Sequence, residues 1–89
     1  MTLEETREIV ARHVLEWDPE GMIRLGGGVE EYDGLIDEIT IMVRRRSQDI
    51  GLYLAAWWPV HFSGQEIPDD SGEAISGMMD ALKGRGFDV

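Results

Sequence analysis

The stretch from Glu30 to Arg46 constrains this chain more than any other. Its apolar residues Tyr32, Leu35, Ile36, Ile39, Met42 and Val43 recur at the i, i+3, i+4, i+7 spacing of one helical stripe. Acids (Glu30, Glu31, Asp33, Asp37, Glu38) crowd its start, and Arg44, Arg45 and Arg46 close it, the charge order a helix dipole favours. An amphipathic rod of this kind is held mainly by burial of its stripe, so the rest of the chain has to supply the elements that cover it.

Before that rod, Thr2 and Glu5 form a capping box, and Leu3, Thr6, Val10, Val14 and Trp17 follow at helical spacing, which predicts a helix from Leu3 to Trp17. It ends there because Pro19 disfavours helical geometry at Asp18 and has no N–H of its own to donate. Asp18 is suited to accept local backbone hydrogen bonds in the turn, and Trp17 offers a large apolar area to anchor it. From Glu20 to Val29 four glycines (Gly21, Gly26, Gly27, Gly28) break any periodicity, predicting an irregular connection with Met22, Ile23 and Leu25 turned inward. The spacing matches neither GxGxxG nor GxxxxGK[ST], and Glu30 and Glu31 would repel an anion, so a connector is preferred over a phosphate-binding loop.

After Arg46, two periods compete. A helix capped by Ser47 and closed by Pro59 carries Ile50, Tyr53, Leu54, Trp57 and Trp58 on one stripe. A strand would place Leu52, Leu54, Ala56 and Trp58 on one face, and Gly51 and the aromatics suit it. The helix is preferred because a lone strand finds no good pairing partner elsewhere in the chain. Val60 to Ser71 reads as a loop around Pro68, and the last helix starts at Asp70 or Ser71, with Glu73 placed to complete a capping box with Asp70. Ile75, Met78, Met79 and Leu82 are its buried stripe, and Gly84 and Gly86 end it, leaving Phe87 to fold back or trail. The expected architecture is mainly α, a compact bundle of about four short helices in one domain over residues 1–89; the alternative is α+β with residues 50–58 as a strand.

Eighty-nine residues leave too little chain for a second hydrophobic core. Cysteine is absent, which removes disulfides, thiolate chemistry and Cys-based zinc sites. No apolar run approaches a membrane span, and Glu4 and Glu5 stand where a signal peptide is basic, so a soluble cytoplasmic protein with no membrane partner is expected. Eighteen acids against eight Lys and Arg give a formal charge of −10, which repels nucleic acid and makes a basic protein the better-matched partner.

Several of these residues also fall in a familiar order: Trp17-Asp18-Pro19 with Gly21, Glu31-Tyr32-Asp33 at a helix start, Ile50, Tyr53 and Leu54 after Ser47, then His61. In this the chain resembles a group of small bacterial proteins that carry a Trp-Asp-Pro-x-Gly turn, an Asp-Glu-Tyr-Asp helix start, an Ile-x-x-Tyr-Leu helix and a late His. The likeness runs from about Leu3 to Phe62 and implies a compact, mostly helical domain; it brings no activity with it. The chain departs from the pattern at Glu20, at Glu30 in place of the first Asp, and at Trp57-Trp58-Pro59, and the tail from Ser63 to Val89 has no counterpart.

No stretch carries a catalytic or cofactor signature, so no catalytic, cofactor-binding or metal-binding residue is assigned. His13 sits at the border of the first helical stripe, where a structural or exposed role is expected, and His61 in a turn beside aromatics, where it is expected to bond a backbone carbonyl. The metal-binding or enzymatic alternative would bring both together with carboxylates such as Asp33 or Asp37, although no HxxxH or HxH spacing supports it. Glu30, Asp33 and Asp37 line one face of the central helix, and of the adjacent Trp57 and Trp58 only one can point fully inward, since neighbours on a helix differ by about 100°. These five residues are the expected contact set of a non-enzymatic, acidic interaction module, one version being an immunity or antitoxin protein that covers a basic toxin. Self-assembly with Trp57 and Trp58 at a homodimer seam is the further alternative.

Overall fold

The computed structural model describes residues 1–45 and 49–86. Its elements are α1 (Leu3–Trp17), a 3-10 turn (Val29–Tyr32) that leads into α2 (Asp33–Arg44), α3 (Ile50–His61) and α4 (Ser71–Gly84). Helix α1 packs against both α2 and α4, and α3 lies against the same two helices from another side. Among the described residues there is no strand, so residues 50–58 are helical. Arg46, the expected cap Ser47 and Phe87 lie outside the described residues.

Helix α1 begins as its sequence dictates. Thr2 Oγ1 accepts from Glu5 N at 3.1 Å while Glu5 Oε1 accepts from Thr2 N at 3.2 Å, so two amides that have no partner inside the helix are satisfied reciprocally. Thr6, Val10 and Val14 are buried as the period requires, Thr6 tying its hydroxyl back to Thr2 O; Leu3 stays exposed and Ile9 is buried.

The turn after α1 is built around one carboxylate. Pro19 bars a right-handed continuation, and Asp18 takes the left-handed conformation (φ 47°, ψ 58°) while its N–H still reaches Val14 O at 2.8 Å. That geometry turns the Asp18 side chain inward to 6% exposure, where it accepts from the Tyr32 hydroxyl (2.6 Å), Ile23 N (3.0 Å), Arg24 N (3.1 Å) and Arg24 Nε (3.2 Å). Tyr32 in turn accepts from Glu20 N at 3.0 Å and Met22 N at 3.4 Å, so one phenol links the α1 exit, the connector and the entry to α2. Burial pushes the Asp18 carboxyl up, but the donors that converge on it, Tyr32 first, outweigh burial and hold it at about 2. Burial, and next the bond to Asp18, push the Tyr32 phenol above its ordinary value.

One glycine of the connector, Gly27, is needed for close backbone packing. Gly27 N donates to Met22 O at 2.8 Å, and a Cβ on Gly27 would stand only 2.8 Å from that same oxygen. Met22 and Ile23 are drawn against the core, whereas Leu25, expected to turn inward, projects into solvent.

All six stripe residues of the central helix are buried, from Tyr32 in the 3-10 turn to Val43. They meet Ile9, Val10 and Val14 of α1, Ile50, Leu54 and Trp58 of α3, and Met78 and Leu82 of α4 in one cluster. Every buried side-chain nitrogen and oxygen among the described residues has a hydrogen-bond partner, which the cost of desolvating polar groups demands.

The rod expected to be helical from Glu30 opens with the 3-10 turn and becomes α-helix only at Asp33, and α3 begins at Ile50 with Asp49 at its N-cap; two further helix ends also differ from expectation. Helix α3 does not stop at Pro59 but continues to His61. Proline at that position forfeits only its own bond to Ala55 O, whereas Phe62 N reaches Trp58 O at 2.8 Å and the Phe62 and Trp58 rings pack with centroids 4.7 Å apart, fixing the turn on both sides of it. The chain then reverses at Ser63 (φ 52°) and Gly64 (φ 82°). At the start of α4 Asp70 occupies the N-cap position without capping, because its Oδ1 accepts the Trp17 indole N–H at 2.9 Å. A carboxylate that could have capped α4 locally instead ties α4 to the end of α1.

Asp18 has a folded value near 2 against 3.8 for an unperturbed carboxyl, so its bonds contribute stability above pH 4 that is lost as pH falls through about 2. The Asp18→Asn variant is therefore expected to unfold at lower urea than the wild type at pH 7, with the gap narrowing between pH 4 and pH 2. A gap independent of pH in urea titrations would remove the charge from the account. Tyr32→Phe, which strands the amides of Glu20 and Met22, is expected to cost about 1–3 kcal/mol at neutral pH in the same measurement.

Candidate interaction surface

Helix α3 carries no Asp, Glu, Lys or Arg anywhere from Ile50 to His61. A helix apolar on every side belongs in a protein interior, yet α3 buries only one of its sides. Ile50, Leu54 and Trp58 point into the core. On the opposite side Leu52, Ala55, Ala56, Pro59 and Val60 form a second stripe at i, i+3, i+4, i+7, i+8, with Leu52 73% and Val60 78% exposed and only Pro59 partly covered.

The inward side explains why α3 is fixed in place. Trp58 is wholly buried, its indole N–H donating to Glu20 Oε2 at 2.9 Å and its ring tilted against Trp17 at a centroid distance of 5.8 Å. Phe62 lies between Trp58 and Tyr32, so the aromatic cluster continues to the phenol that holds Asp18. Trp57 is half-buried; it meets Trp58 and Phe62 edge-on, and the His61 imidazole stacks on it with ring centroids 4.0 Å apart and planes 10° off parallel.

Two shallow depressions border the outer side of α3. One, of about 510 Å³, runs between α2 and α3 and is walled by Ile41, Met42, Leu52 and Tyr53, with Glu38 and Arg45 among its charged residues. The other, of about 280 Å³, lies along α3 itself among Tyr53, Ala56, Trp57, Val60 and His61. Tyr53 belongs to both and is half exposed; Glu38 beside it raises its phenol by hydrogen bonding and charge. Exposed Ile41 of α2 extends the apolar area across the first groove, so Ile41, Leu52, Tyr53, Ala56, Trp57 and Val60 make up a patch assembled from two helices.

The residues that the sequence singled out are distributed differently. Glu30 is exposed in the 3-10 turn, and Asp33 and Asp37 lie on the solvent side of α2, but both aspartates face Arg7 of α1: Nε to Asp37 Oδ1 is 2.7 Å and Nη2 to Asp33 Oδ1 is 3.6 Å. The hydrogen bond that Arg7 donates to Asp37, and then the charges of the two acids, push the Arg7 guanidinium up. Trp58 is withdrawn from any surface and Trp57 half offered. His13 Nδ1 donates to Ile9 O at 2.9 Å within α1; His61 Nδ1 bonds a backbone carbonyl as expected, Trp57 O at 3.0 Å, but from the last turn of α3 rather than from a turn beyond it. Among the described residues no three His, Asp or Glu side chains are placed to hold a metal ion. Likewise, no helix among them is long and apolar enough to cross a membrane.

Leu52, Tyr53, Ala56 and Val60 were not expected at the site. The signal for them was present in the sequence: a helical period and a strand period could both be drawn through residues 50–58 because apolar residues occupy every side of that helix. Comparison of the chain with family models, with curated proteins and with solved structures finds no match. The surface has to be interpreted from its own chemistry.

The two sides of α3 should respond oppositely to substitution. Trp58→Ala empties a fully buried site and is expected to cost about 3–5 kcal/mol. Val60→Glu and Leu52→Glu, on the solvent side, are expected to change unfolding free energy by no more than about 0.5 kcal/mol. Urea titrations of the three variants, at concentrations low enough for the protein to be monomeric, check this, and a large loss for either exposed position there would show that the outer stripe is covered within the monomer.

Proposed function

We propose that this chain is a non-catalytic protein-interaction module that docks through the outer side of α3. The observation that carries the proposal is the exposed, uncharged stripe from Leu52 to Val60 on a protein whose formal charge is −10. Solvent-facing positions elsewhere are filled largely by Glu, Asp and Arg, and keeping a helix free of them costs solubility unless something covers it. The patch also has the composition of an interface centre, with aromatic Tyr53 and Trp57 among aliphatic side chains and charged groups at its edge.

A second version of the proposal, an immunity or antitoxin role against a basic partner, draws its support from the net charge and from exposed Glu30. It is the weaker because Asp33 and Asp37, which would meet that partner, already share Arg7. The two surfaces separate in one experiment. Tagged wild type, Leu52→Glu/Val60→Glu and Asp33→Asn/Asp37→Asn are expressed in the native host, and a binding partner is recovered by affinity purification. Docking on α3 predicts at least a tenfold loss of the partner with the first variant and little change with the second. The reverse pattern transfers the site to the acidic side, and equal recovery with both variants removes these two surfaces from the function.

A further inference from the structure

Resting on the docking role of α3, we infer that the partner seated on this stripe is a second copy of the same chain, its α3 running antiparallel across a two-fold axis at Ala56. Two properties of the stripe point to this occupant. The first is its order of sizes. Leu52, Ala56 and Val60 lie at i, i+4 and i+8, with a large side chain on either side of a small one and equal spacing from the centre. When two such helices cross antiparallel at Ala56, Leu52 of each meets Val60 of the other, and the two Ala56 methyls face each other where the axes come closest. Exposed Ala55 one position away keeps that crossing open, and axes about 8 Å apart are within the range that small contact residues allow. A two-fold interface needs a surface complementary to itself, and a large-small-large stripe has that property.

The second is charge. Two copies bring a formal −10 each, and the approach that avoids setting carboxylate against carboxylate is one through a surface without them. The outer stripe of α3, from Leu52 to Val60, carries no charged residue, and the carboxylates nearest to it, Glu38 and Asp49, stand beside Arg45 at its edge in the groove against α2. The remaining charges still repel at a distance, over a Debye length of about 30 Å at 0.01 M salt and about 3 Å at 1 M. Self-association of this kind therefore strengthens as salt is added, whereas docking of a basic partner weakens.

Sedimentation velocity over a concentration series, at low and at 0.5 M NaCl, tests the inference. The expected result is a monomer–dimer equilibrium whose dissociation constant falls severalfold at the higher salt. Ala56→Glu places a carboxylate against its own symmetry mate, and Ala56→Lys does the same with an ammonium; each variant alone is expected to sediment as a monomer with a far-ultraviolet CD spectrum like that of the wild type. Mixed one to one, they are expected to form a heterodimer, because only a two-fold axis at this residue sets the two opposite charges face to face. A wild type that stays monomeric at submillimolar concentration in high salt overturns the inference, as do dimers that ignore both substitutions or a mixture that fails to associate. Should the wild type be monomeric while Leu52→Glu/Val60→Glu still abolishes recovery of a different protein, self-pairing fails and the docking role of α3 stands. If neither self-association nor partner recovery responds to the stripe, both fall.

Discussion

The fold depends on the hydrogen bonds that converge on Asp18. A helix that ends at a proline leaves a turn with several amides to satisfy, and here one carboxylate and one phenol satisfy them together: Asp18 takes Ile23 N and Arg24 N, and Tyr32 takes Glu20 N and Met22 N while donating to Asp18. Because Tyr32 sits immediately before α2, this network fixes how the central helix enters the bundle relative to α1. A buried carboxylate is ordinarily a liability. It is stable as an anion because more than one donor reaches each of its oxygens, which is also why its value falls although burial opposes the charge.

The same turn reaches α3 through side chains that no local pattern connects. Glu20, two residues beyond Asp18, accepts the indole of Trp58, while Trp17, one residue before it, packs on Trp58 and donates to Asp70 at the start of α4. One stretch of four residues, Trp17 to Glu20, thus bonds the entry to α2, the inward side of α3 and the N-cap of α4. With Trp58 locked inward, the rotation of α3 about its axis is set, and the side holding Leu52, Ala56 and Val60 is left facing water. The exposed stripe is therefore a consequence of how the core is tied rather than an independent feature.

Much of the architecture was legible along the chain. The capping box at Thr2 and Glu5, the stop at Pro19, the bounds of α1 and the stripe from Tyr32 to Val43 follow from rules that operate within one or two helical turns, and the structure has them in place. The split between Trp57 and Trp58 was likewise legible, because adjacent positions on a helix cannot both face one direction. Pro59 and Asp70 were misjudged for a common reason: each was given its local role, helix stop or helix cap, and each is overridden by a contact across the bundle, Trp58 with Phe62 in one case and Trp17 in the other. Leu25, expected inside, is exposed, and Tyr53 shares a helical stripe with buried Ile50 and Leu54 yet is half exposed: hydrophobicity and period identify residues that can be buried and not those that will be.

By itself the sequence determined that the chain is helical, where its first helix begins and ends, which side of the central helix is buried, and that one helix carries apolar residues on all sides. Those properties depend on neighbours three or four residues apart and on charge counted over the whole chain. Only the tertiary structure decided which side of α3 the core would claim, which acids Arg7 would occupy, and hence where a free apolar surface remains. A helix with two apolar sides has no local preference between them; the choice rests on Glu20 and Trp17, some forty residues earlier in the chain, meeting Trp58 in space.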